Sequence, residues 1–288
     1  MKGNDLTTQI PVSVMIFTLN EQIHLPSCLD SLAWCDDVIV IDSFSTDATQ
    51  TICEQRGARF YQNKFTGFGN QRNWALDNTK PKYEWLLILD ADERVTPELL
   101  AEMAKLAQSD IEHIGAFRLR RRFYMWGKWL RYSSLYPTWV VRFIRVGRVR
   151  YLNRGHAETQ DVEGAIMNLD SDLIDENLKG IDEWFNRQNR YASKEAEFEL
   201  EQEKNGLDLL DLFALEPLKR RAALKRLAWK MPARGLVYFL YSYFLRLGLL
   251  DGRPGFVFCL MRAGYQSQIA IKKYDSKIAI NATSLRTK

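Results

Sequence analysis

The sequence predicts an α/β protein with a doubly wound, mostly parallel sheet, followed by a C-terminal helical, basic module. Three short runs, Val12–Thr18, Asp37–Ile41 and Trp85–Leu89, are largely apolar, as strands buried on both faces are. Segments with helical spacing of apolar residues separate them, and this alternation is typical of parallel sheets covered by helices. A change in charge after residue 218 distinguishes the C-terminal module from the sheet.

Capping and turn residues mark the helices between the predicted strands. The Ser-Thr-Asp segment at residues 45–47 supplies caps for a helix that Gly57 ends. Thr96 at the cap and Pro97 at the first helical position begin another helix. The predicted elements are, in order, strand Val12–Thr18, helix Leu25–Trp34, strand Asp37–Ile41, a helix that follows these caps and runs to Arg56, strand Ala58–Gln62, helix Asn70–Leu76, strand Trp85–Leu89 and a helix from Thr96.

The pattern changes after Ser109. The elements expected there are strands at Ala116–Tyr124, Trp139–Arg145 and Arg148–Asn153, a long charged helix over residues 180–204, and helical patterns over 217–270 with breaks at Pro232, Gly252 and Pro254. Gly206 and Pro217 bracket the predicted boundary. We therefore predict two domains, one over residues 1–206 and one over residues 207–288.

The net charge of +4 hides two parts of opposite charge. Residues 1–218 carry a net charge of −9, whereas residues 219–288 carry +13, with Asp251 and Asp275 as their only acidic residues. This asymmetry indicates that the C-terminal part faces an anionic partner, either nucleic acid or the cytoplasmic leaflet of a membrane.

Motifs that the chain lacks exclude several classes of protein. Its four cysteines have no CxxC spacing, which excludes a zinc ribbon and a disulfide framework and favours a reducing compartment. No GxGxxG follows the first strand and no GxxxxGK[ST] occurs, so dinucleotide and P-loop binding are not expected. Residues 1–8 are polar, and no signal peptide is expected.

Carboxylates follow three of the four predicted N-terminal strands. Glu21 lies beyond the first strand, Asp42 follows the second, and Asp90 and Asp92 follow the fourth. Ligands of open α/β sheets bind at the carboxyl ends of the strands, where these residues would converge. The Asp-x-Asp spacing points both side chains the same way, and two hard oxygen ligands suit Mg²⁺ or Mn²⁺ that substrate phosphates also hold. The alternative is ordinary loop or capping chemistry.

Four motifs occur in order at successive strand ends: Asn20-Glu21, Asp42-Ser43-Phe44-Ser45-Thr46-Asp47, Gln71-Arg72-Asn73-Trp74-Ala75 and Asp90-Ala91-Asp92-Glu93. In this ordered set the chain resembles the family 2 inverting glycosyltransferases, which have the GT-A fold, over residues 11–160. The closer likeness is to bacterial transferases of lipopolysaccharide-core and exopolysaccharide assembly, and it continues through Trp184–Ala196 and Leu247–Lys273. The resemblance implies transfer of a sugar from a nucleotide-sugar, a UDP-sugar, to a lipid-linked glycan or lipopolysaccharide-core acceptor.

The resemblance also implies roles for individual residues. Asp42 and the Asn20-Glu21 turn would contact the base and ribose, and Arg72 would lie near the base or the diphosphate. Asp92, with Asp90 acting through the ribose or a metal-bound water, would hold Mg²⁺ or Mn²⁺ on the diphosphate and so assist the leaving group. Two strand arginines are further candidates for the diphosphate: Arg142 and Arg118.

An inverting transferase needs a base that takes the proton of the acceptor hydroxyl, and the family uses a carboxylate located after the metal motif. Residues 154–158 follow a predicted strand and, if extended, place Arg154, His156 and Glu158 on one face. We predict Glu158 as the base, with His156 as its neighbour or as a phosphate or metal contact, and Asp161 as the alternative base. Relatives often place His and Glu next to each other, whereas one residue separates them here.

Seven basic residues and no acidic residue lie between Lys219 and Arg234, interleaved with apolar residues that include Trp229. This pattern is typical of an interfacial helix on anionic lipid. The following segment, Gly235–Leu245, is uncharged but well short of the ~20 residues that span a bilayer. We predict a peripheral, monotopic protein at the cytoplasmic face of the bacterial inner membrane, with a basic helical subdomain or dimer interface as the alternative. Nucleic acid is not expected, because no recognised binding motif accompanies the charge.

Three other functions fit the sequence less well than glycosyl transfer. Phosphatases of the haloacid dehalogenase type place Asp-x-Asp after the first strand, whereas here the motif closes the fourth. Nucleotidyltransferases typically open with a Gly-rich loop, which this chain lacks. A membrane-bound, non-catalytic scaffold would have no need of the intact set of acidic strand ends.

Overall fold

The computed structural model describes residues 10–154, 157–204, 214–229, 231 and 233–286. Contacts within the chain divide it into two compact units. The first unit holds residues 1–129 and 136–178, and the second holds residues 130–135 and 179–288.

The first unit is built on a mixed sheet. Its strands are β1 Val12–Thr18, β2 Val38–Asp42, β3 Arg59–Gln62, β4 Trp85–Asp90, β5 Glu93–Val95, β6 Ile114–Met125, β7 Lys128–Trp129, β8 Thr138–Arg145, β9 Val149–Arg154, β10 Ala157–Val162 and β11 Ala165–Glu176. Nine of them form one sheet in the order β3-β2-β1-β4-β8-β6-β11-β5, with β7 paired to β6, while β9 and β10 form a hairpin. In the described residues, six of these nine strands share one direction and β5, β7 and β8 oppose it. The predicted α/β class with a mostly parallel sheet is confirmed.

Four helices of the first unit lie along the sheet: α1 Leu25–Asp30, α2 Thr49–Gln55, α3 Phe68–Asn78 and α4 Pro97–Ala107. Because neighbouring residues of a strand point to opposite faces, each strand feeds two cores. Val14 and Leu87 join a buried cluster with residues of α1, α2 and α4. Met15 and Ile88 join a second cluster that includes Ala75 of α3. The sheet is therefore covered on both faces, as the alternating pattern predicts.

The two predicted helix starts have different outcomes. Thr96 caps α4 as expected, because its hydroxyl accepts a hydrogen bond from the backbone N of Leu99. The caps predicted for α2 at residues 45–47 precede its N-cap, Ala48, but Asp47 accepts hydrogen bonds from the backbone N and the hydroxyl of Thr49, the first residue of α2. Ser45 and Asp47 also accept hydrogen bonds from backbone N atoms of the loop after β1.

The second unit is helical. Its elements are α5 Gly180–Lys204, α6 Pro217–Trp229, α7 Arg234–Leu240, a π-helical segment Tyr241–Leu245, a 3₁₀ turn Gly248–Asp251 and α8 Gly252–Arg286. Buried Glu199 of α5 accepts hydrogen bonds from Arg234 of α7 at 2.9 Å and from Lys273 of α8 at 3.0 Å. Asp251 accepts from the backbone N atoms of Tyr132 and Ser133, which holds residues 130–135 in this unit.

The observed division differs from the one drawn at residue 206. Helix α5 belongs to the second unit, because its buried ion pairs and apolar contacts are made with α7 and α8. The functional assignment of residues 1–206 to catalysis and 207–288 to membrane association stays a prediction. The break predicted at Pro254 is wrong, since Pro254 lies in the first turn of α8, where the missing N–H would have no helical partner.

Candidate active site

The acidic strand ends predicted from the sequence converge at one edge of the sheet. Strands β2 and β4 flank β1 and run parallel to it. The register pairs Thr18 with Asp42 and Phe17 with Asp90. Because the carboxyl ends of parallel neighbours meet, the loops after these three strands share one edge, where ligands of open α/β sheets bind.

Two of the predicted nucleotide contacts are Asn20, in the loop after β1, and Asp42, the last residue of β2, and the loops after these two strands bond to each other. Asp42 is fully buried, and its carboxylate accepts hydrogen bonds from the Thr18 hydroxyl at 2.9 Å and from Ser45 N at 2.7 Å. The Asn20 amide oxygen accepts from Thr46 N at 2.8 Å. These bonds fix the shape of the loop that would face a nucleotide; contact of Asn20 and Asp42 with base or ribose stays a prediction.

Glu21 has a partner that the sequence analysis missed. Its carboxylate lies 2.6 Å from Nδ1 of buried His24, and the backbone N of Leu178 donates to His24 Nε2 at 2.7 Å. An Nε2 that accepts a hydrogen bond carries no proton, so the proton of the imidazole lies on Nδ1 and points to Glu21. The spacing of three residues between Glu21 and His24 was the only sequence signal for this contact.

Asp90 at the end of β4 is paired with two arginines. The Arg142 guanidinium donates to Asp90 Oδ2, and Arg72 Nη2 donates to Asp90 Oδ1 at 3.2 Å. Burial alone would raise the pKa of Asp90, but the charges of Arg142 and Arg72 outweigh it and lower this pKa to about 2. Asp90 is therefore ionised, and its charge is already compensated within the protein.

Both arginines are buried, which is rare for an arginine unless it is paired with a carboxylate. Arg72 lies between two rings, 5.4 Å from the centroid of Phe17 and 5.3 Å from that of Tyr151. Burial and the nearby charge of Arg142 lower the pKa of Arg72 below its ordinary value. Burial also acts to lower the pKa of Arg142, but the carboxylates of Asp90 and Glu93 outweigh it and raise that pKa.

Glu93 completes the ion-pair network, although the sequence analysis named it only as part of a motif. It is fully buried, accepts from Asp90 N at 2.9 Å and lies 3.1 Å from the Arg142 guanidinium. Burial, opposed by Arg142 and assisted by the charge of Asp90, raises the pKa of Glu93. This carboxyl therefore holds the turn after β4 and the guanidinium of Arg142 together.

Of the two Asp-x-Asp carboxylates, that of Asp92 has fewer hydrogen-bond partners within the protein. Asn177, just beyond β11, donates through its side-chain amide to Asp92 Oδ2 at 3.0 Å. In the described part of the chain, the other oxygen, Oδ1, accepts no hydrogen bond. Across the same residues, no three or more His, Cys, Asp or Glu side chains group as a metal site. A cation here would take few protein oxygens and would need substrate oxygens as well.

A second titratable carboxyl, Asp175 of β11, was not anticipated from the sequence. It pairs with Arg121 at 3.2 Å and lies opposite Glu93 in the strand register. Burial raises its pKa to about 7, with Arg121 opposing the shift and the charges of Asp92 and Glu93 adding to it. β11 was not among the predicted strands, so no sequence pattern placed this residue beside the Asp-x-Asp motif.

The predicted base lies on the β9–β10 hairpin. Glu158 is in β10, opposite Asn153 of β9, and its side chain and the whole of His156 lie outside the described residues. Asp161 is exposed and opposite Arg150. The assignment of the base to Glu158, with Asp161 as the alternative, stays a prediction, as does the role of His156.

Asn73 attaches this hairpin to α3. Its side-chain amide donates to the backbone O of Tyr151 at 2.8 Å and accepts from the backbone N of Tyr151 at 3.0 Å. Asn73 follows Arg72, so one turn of α3 both places an arginine on Asp90 and holds the strand next to the predicted base. The third motif of the sequence thus has a positioning role.

Comparison with known proteins agrees with the site. A family model described as Glycosyl transferase family 2 matches residues 13–167. The chain is 28% identical over 275 residues to the lipopolysaccharide core biosynthesis glycosyltransferase LpsC of Rhizobium meliloti (strain 1021), covering 93% of each protein. It is 34% identical over 113 residues to an uncharacterized glycosyltransferase of Rickettsia bellii (strain RML369-C), a match that covers 39% of this chain and 35% of that protein.

Among solved structures, the chain is similar to residues 1–349 of S. aureus TarS in complex with UDP-GlcNAc, with 16% identity and a TM-score of 0.43 over 93% of this chain and 92% of that chain. The family match carries the assignment, because it covers more than half of the chain. It includes all four strand-end motifs, both buried arginines and the predicted base. The chain therefore belongs to the family 2 glycosyltransferases.

Proposed function

We propose that this glycosyltransferase is metal-dependent and inverting, and that it transfers a sugar from a UDP-sugar to a lipopolysaccharide-core or other lipid-linked glycan. The observation that carries the proposal is the pairing of Asp90 with Arg72 and Arg142 beside the open carboxylate of Asp92. The name of the LpsC relative supports lipopolysaccharide core as the acceptor class.

The charges at this edge suit a diphosphate that binds together with a cation. Asp90 and Glu93 compensate the positive charges of Arg72 and Arg142, so a cation at Asp92 would balance the diphosphate. The donor set at Asp92 fits Mg²⁺ or Mn²⁺, since these ions take one or two carboxylates and complete their shell with phosphate oxygens and water. Such an ion, when bound, would stabilise the charge that develops on the departing nucleoside diphosphate.

In the proposed reaction, the acceptor hydroxyl oxygen forms a bond to the anomeric carbon as the bond from that carbon to the diphosphate breaks. The hydroxyl proton passes to a carboxylate on the opposite side of the sugar, and we assign this role to Glu158, with Asp161 as the alternative. His156 would lie beside this base or contact phosphate. Asn73 positions the hairpin that carries these residues.

We further propose that the second unit associates with the anionic cytoplasmic face of the inner membrane. Residues 219–288 carry a net charge of +13, which the acidic residues of α5 offset in part: Glu199 pairs with Arg234 and Lys273, and Glu203 pairs with Lys273 and Lys277. Large apolar side chains are exposed next to this charge, namely Leu236, Leu240, Phe244, Leu245, Leu247, Leu249 and Leu250. Apolar side chains beside basic ones match an anionic bilayer interface.

One feature of the predicted interfacial helix needs correction. The ring of Trp229 packs edge-on against Phe198 of α5 at 6.3 Å, and Lys273 of α8 lies 6.0 Å from its centroid. Trp229 therefore contacts other helices of the second unit, and the exposed apolar residues after Ala233 are the stronger candidates for lipid contact. Among the described helices, none combines the length and apolarity needed to cross a membrane.

Thermal stabilisation by nucleotide and metal tests the donor chemistry. UDP with Mn²⁺ should raise the melting temperature of the wild type more than UDP or Mn²⁺ alone, because ligand binding to the folded state stabilises it by mass action. Asp92→Asn should lose the metal-dependent part of this shift. Asp30→Asn is the matched control, since Asp30 is exposed and paired with Arg56. An unchanged metal-dependent shift in Asp92→Asn would reject the metal assignment.

A further inference from the structure

Three arginines of β6 share one face of the strand at residues 118, 120 and 122, because alternate residues of a strand point the same way. Asp172 of β11 lies opposite Arg120 in the register. Its carboxylate accepts from Arg120 Nε at 2.7 Å and from Arg122 Nε at 2.6 Å. One buried carboxylate thus holds two guanidinium groups side by side through their Nε atoms.

Aromatic side chains fix the orientation of these two guanidinium groups. The Tyr136 hydroxyl donates to Asp172 Oδ1 at 2.9 Å. Arg120 lies 5.8 Å from the centroid of Trp139, and Arg122 lies 5.0 Å from that of Trp129. Such stacking lowers the entropy that an arginine loses when it binds a ligand, since its plane is already set.

The terminal Nη atoms of this pair are available to an external group. In the part of the chain that the structure describes, the Nη atoms of Arg120 and Arg122 donate no hydrogen bond, and their side chains are 28% and 35% exposed. Arg118, on the same face, is also exposed. Three positive charges against one buried carboxylate leave this face with a surplus of two.

We propose that this arginine face is a binding site for an anionic group, a phosphate or a carboxylate, on the acceptor saccharide. Paired guanidinium forks match the oxygens of such groups. The ring of Trp139, 39% exposed, offers an apolar surface to the sugar that bears the anion. The inference deepens the proposed function and rests on it, because it names the charge class of the acceptor.

The arginine face lies on the side of the sheet that packs against the β9–β10 hairpin. Val141, opposite Arg118 in the register, packs against the buried cluster that includes Tyr151 of β9. Arg121, which points to the other face of β6, lies 3.2 Å from Asp175 and 3.7 Å from Glu93 of the candidate active site. The diphosphate of the donor is the competing anion for these arginines. Saturation of the donor site with UDP and Mg²⁺ distinguishes the two anions.

Calorimetric titration with small anionic sugars tests the proposal. The probes are glucose 6-phosphate, glucuronate and neutral glucose, added to the full chain saturated with UDP and Mg²⁺. We expect at least one charged probe to bind and glucose not to bind, and the tighter charged probe identifies phosphate or carboxylate. The double variant Arg120→Gln, Arg122→Gln should raise the dissociation constant of that probe by about ten-fold or more.

Two further variants keep the test decisive. Arg118→Gln leaves both hydrogen bonds to Asp172 intact, so this variant should fold normally. It should still raise the dissociation constant of the charged probe by about three-fold or more. Arg56→Gln, which removes an exposed arginine paired with Asp30, should bind the probe like the wild type.

Equal affinity in the wild type and in both sets of β6 variants would overturn the proposal, as would equal binding of glucose, or binding of the charged probe only when UDP and Mg²⁺ are left out. Binding of UDP and Mg²⁺ is measured on the same samples. Its absence would count against the proposed function, whereas its presence without binding of a charged probe would count against the arginine face alone.

Discussion

At the residue scale, the two carboxylates of the Asp-x-Asp motif have different surroundings. Asp90 is compensated by two buried arginines, which hold its pKa at about 2. Asp92 has an amide from Asn177 on one oxygen. In this motif, Asp90 therefore pairs with arginines, and Asp92 offers a carboxylate that a cation could approach. Because both residues are aspartates, the sequence alone does not show this difference.

Asp175 provides a pH test at this scale. Burial, opposed by Arg121, raises its pKa to about 7, whereas an unfolded aspartate has a pKa of about 3.9. Between these values the folded state keeps a proton that the unfolded state has lost, so this residue makes the protein less stable as pH rises from about 4 to 7. Asp175→Asn removes this dependence.

We compare the melting temperature of Asp175→Asn with that of the wild type at each pH. The difference, variant minus wild type, should be more positive at pH 8 than at pH 5. Scanning calorimetry at several pH values between 5 and 8, without metal or nucleotide, measures the difference. Asp30→Asn, an exposed site, serves as control and should show no such trend. Parallel curves for Asp175→Asn and the wild type would show that Asp175 titrates in its ordinary range.

At the element scale, the β9–β10 hairpin is held to α3 through the side chain of Asn73. Its two hydrogen bonds reach both backbone polar groups of Tyr151. Tyr151 in turn packs its ring against Arg72. Helix α3, the hairpin and the arginine on Asp90 are therefore positioned together, and a change at Asn73 should affect all three.

Asn73→Ala should loosen the hairpin and reduce turnover. Removal of the amide leaves two backbone groups of Tyr151 without their partners, at a cost of about 1–3 kcal/mol. Hydrogen exchange over residues 149–154 and 157–162 should accelerate in the variant. Asn78→Ala is the matched control, because Asn78 lies on the same helix and donates only to Trp74 O within α3.

Glu158→Gln provides the comparison for the turnover of Asn73→Ala. It should lower turnover by about 10²- to 10⁴-fold and leave hairpin exchange unchanged, as expected for loss of a general base. Unchanged exchange in Asn73→Ala would refute the positioning role. If Asp161→Asn loses turnover while Glu158→Gln keeps it, the base is Asp161.

At the scale of the whole molecule, the opposite charges of the two parts of the chain predict how it behaves at a membrane. Arg234 is buried and paired with Glu199, but the other basic residues of 219–234 should contribute about 1 kcal/mol each where they reach an anionic surface, and this contribution should weaken with salt. The exposed apolar residues beyond Ala233 should make release by salt incomplete.

Flotation with vesicles measures this association. The wild type should float with vesicles that contain anionic lipid and bind neutral vesicles more weakly. A variant with Lys219, Arg220, Arg221, Lys225 and Arg226 changed to Gln should lose most of the preference for anionic lipid. Leu240→Ser with Phe244→Ser should instead increase the fraction that salt releases. Equal flotation on both kinds of vesicle, or none, would reject membrane association in favour of a basic helical subdomain.

The N-terminal half of the fold and its acidic strand ends were predictable because the signal is local. Apolar runs such as Val12–Thr18 become strands, and parallel neighbours bring Asp42 and Asp90 to one edge. Strand β11 was not predicted because its residues do not follow an alternating apolar pattern. Its polar residues include Asp172 and Asp175, which pair with arginines of β6.

The sequence alone therefore determined the class of fold, the family, the order of the strand-end motifs and the asymmetry of charge, since all of these depend on residue type and spacing along the chain. Only the tertiary structure decided which charges meet: Asp90 with Arg72 and Arg142, Asp172 with Arg120 and Arg122, and Glu199 with Arg234. These partners lie 18 to 52 residues apart in the sequence, and their pairing depends on burial and strand register, which no local pattern encodes.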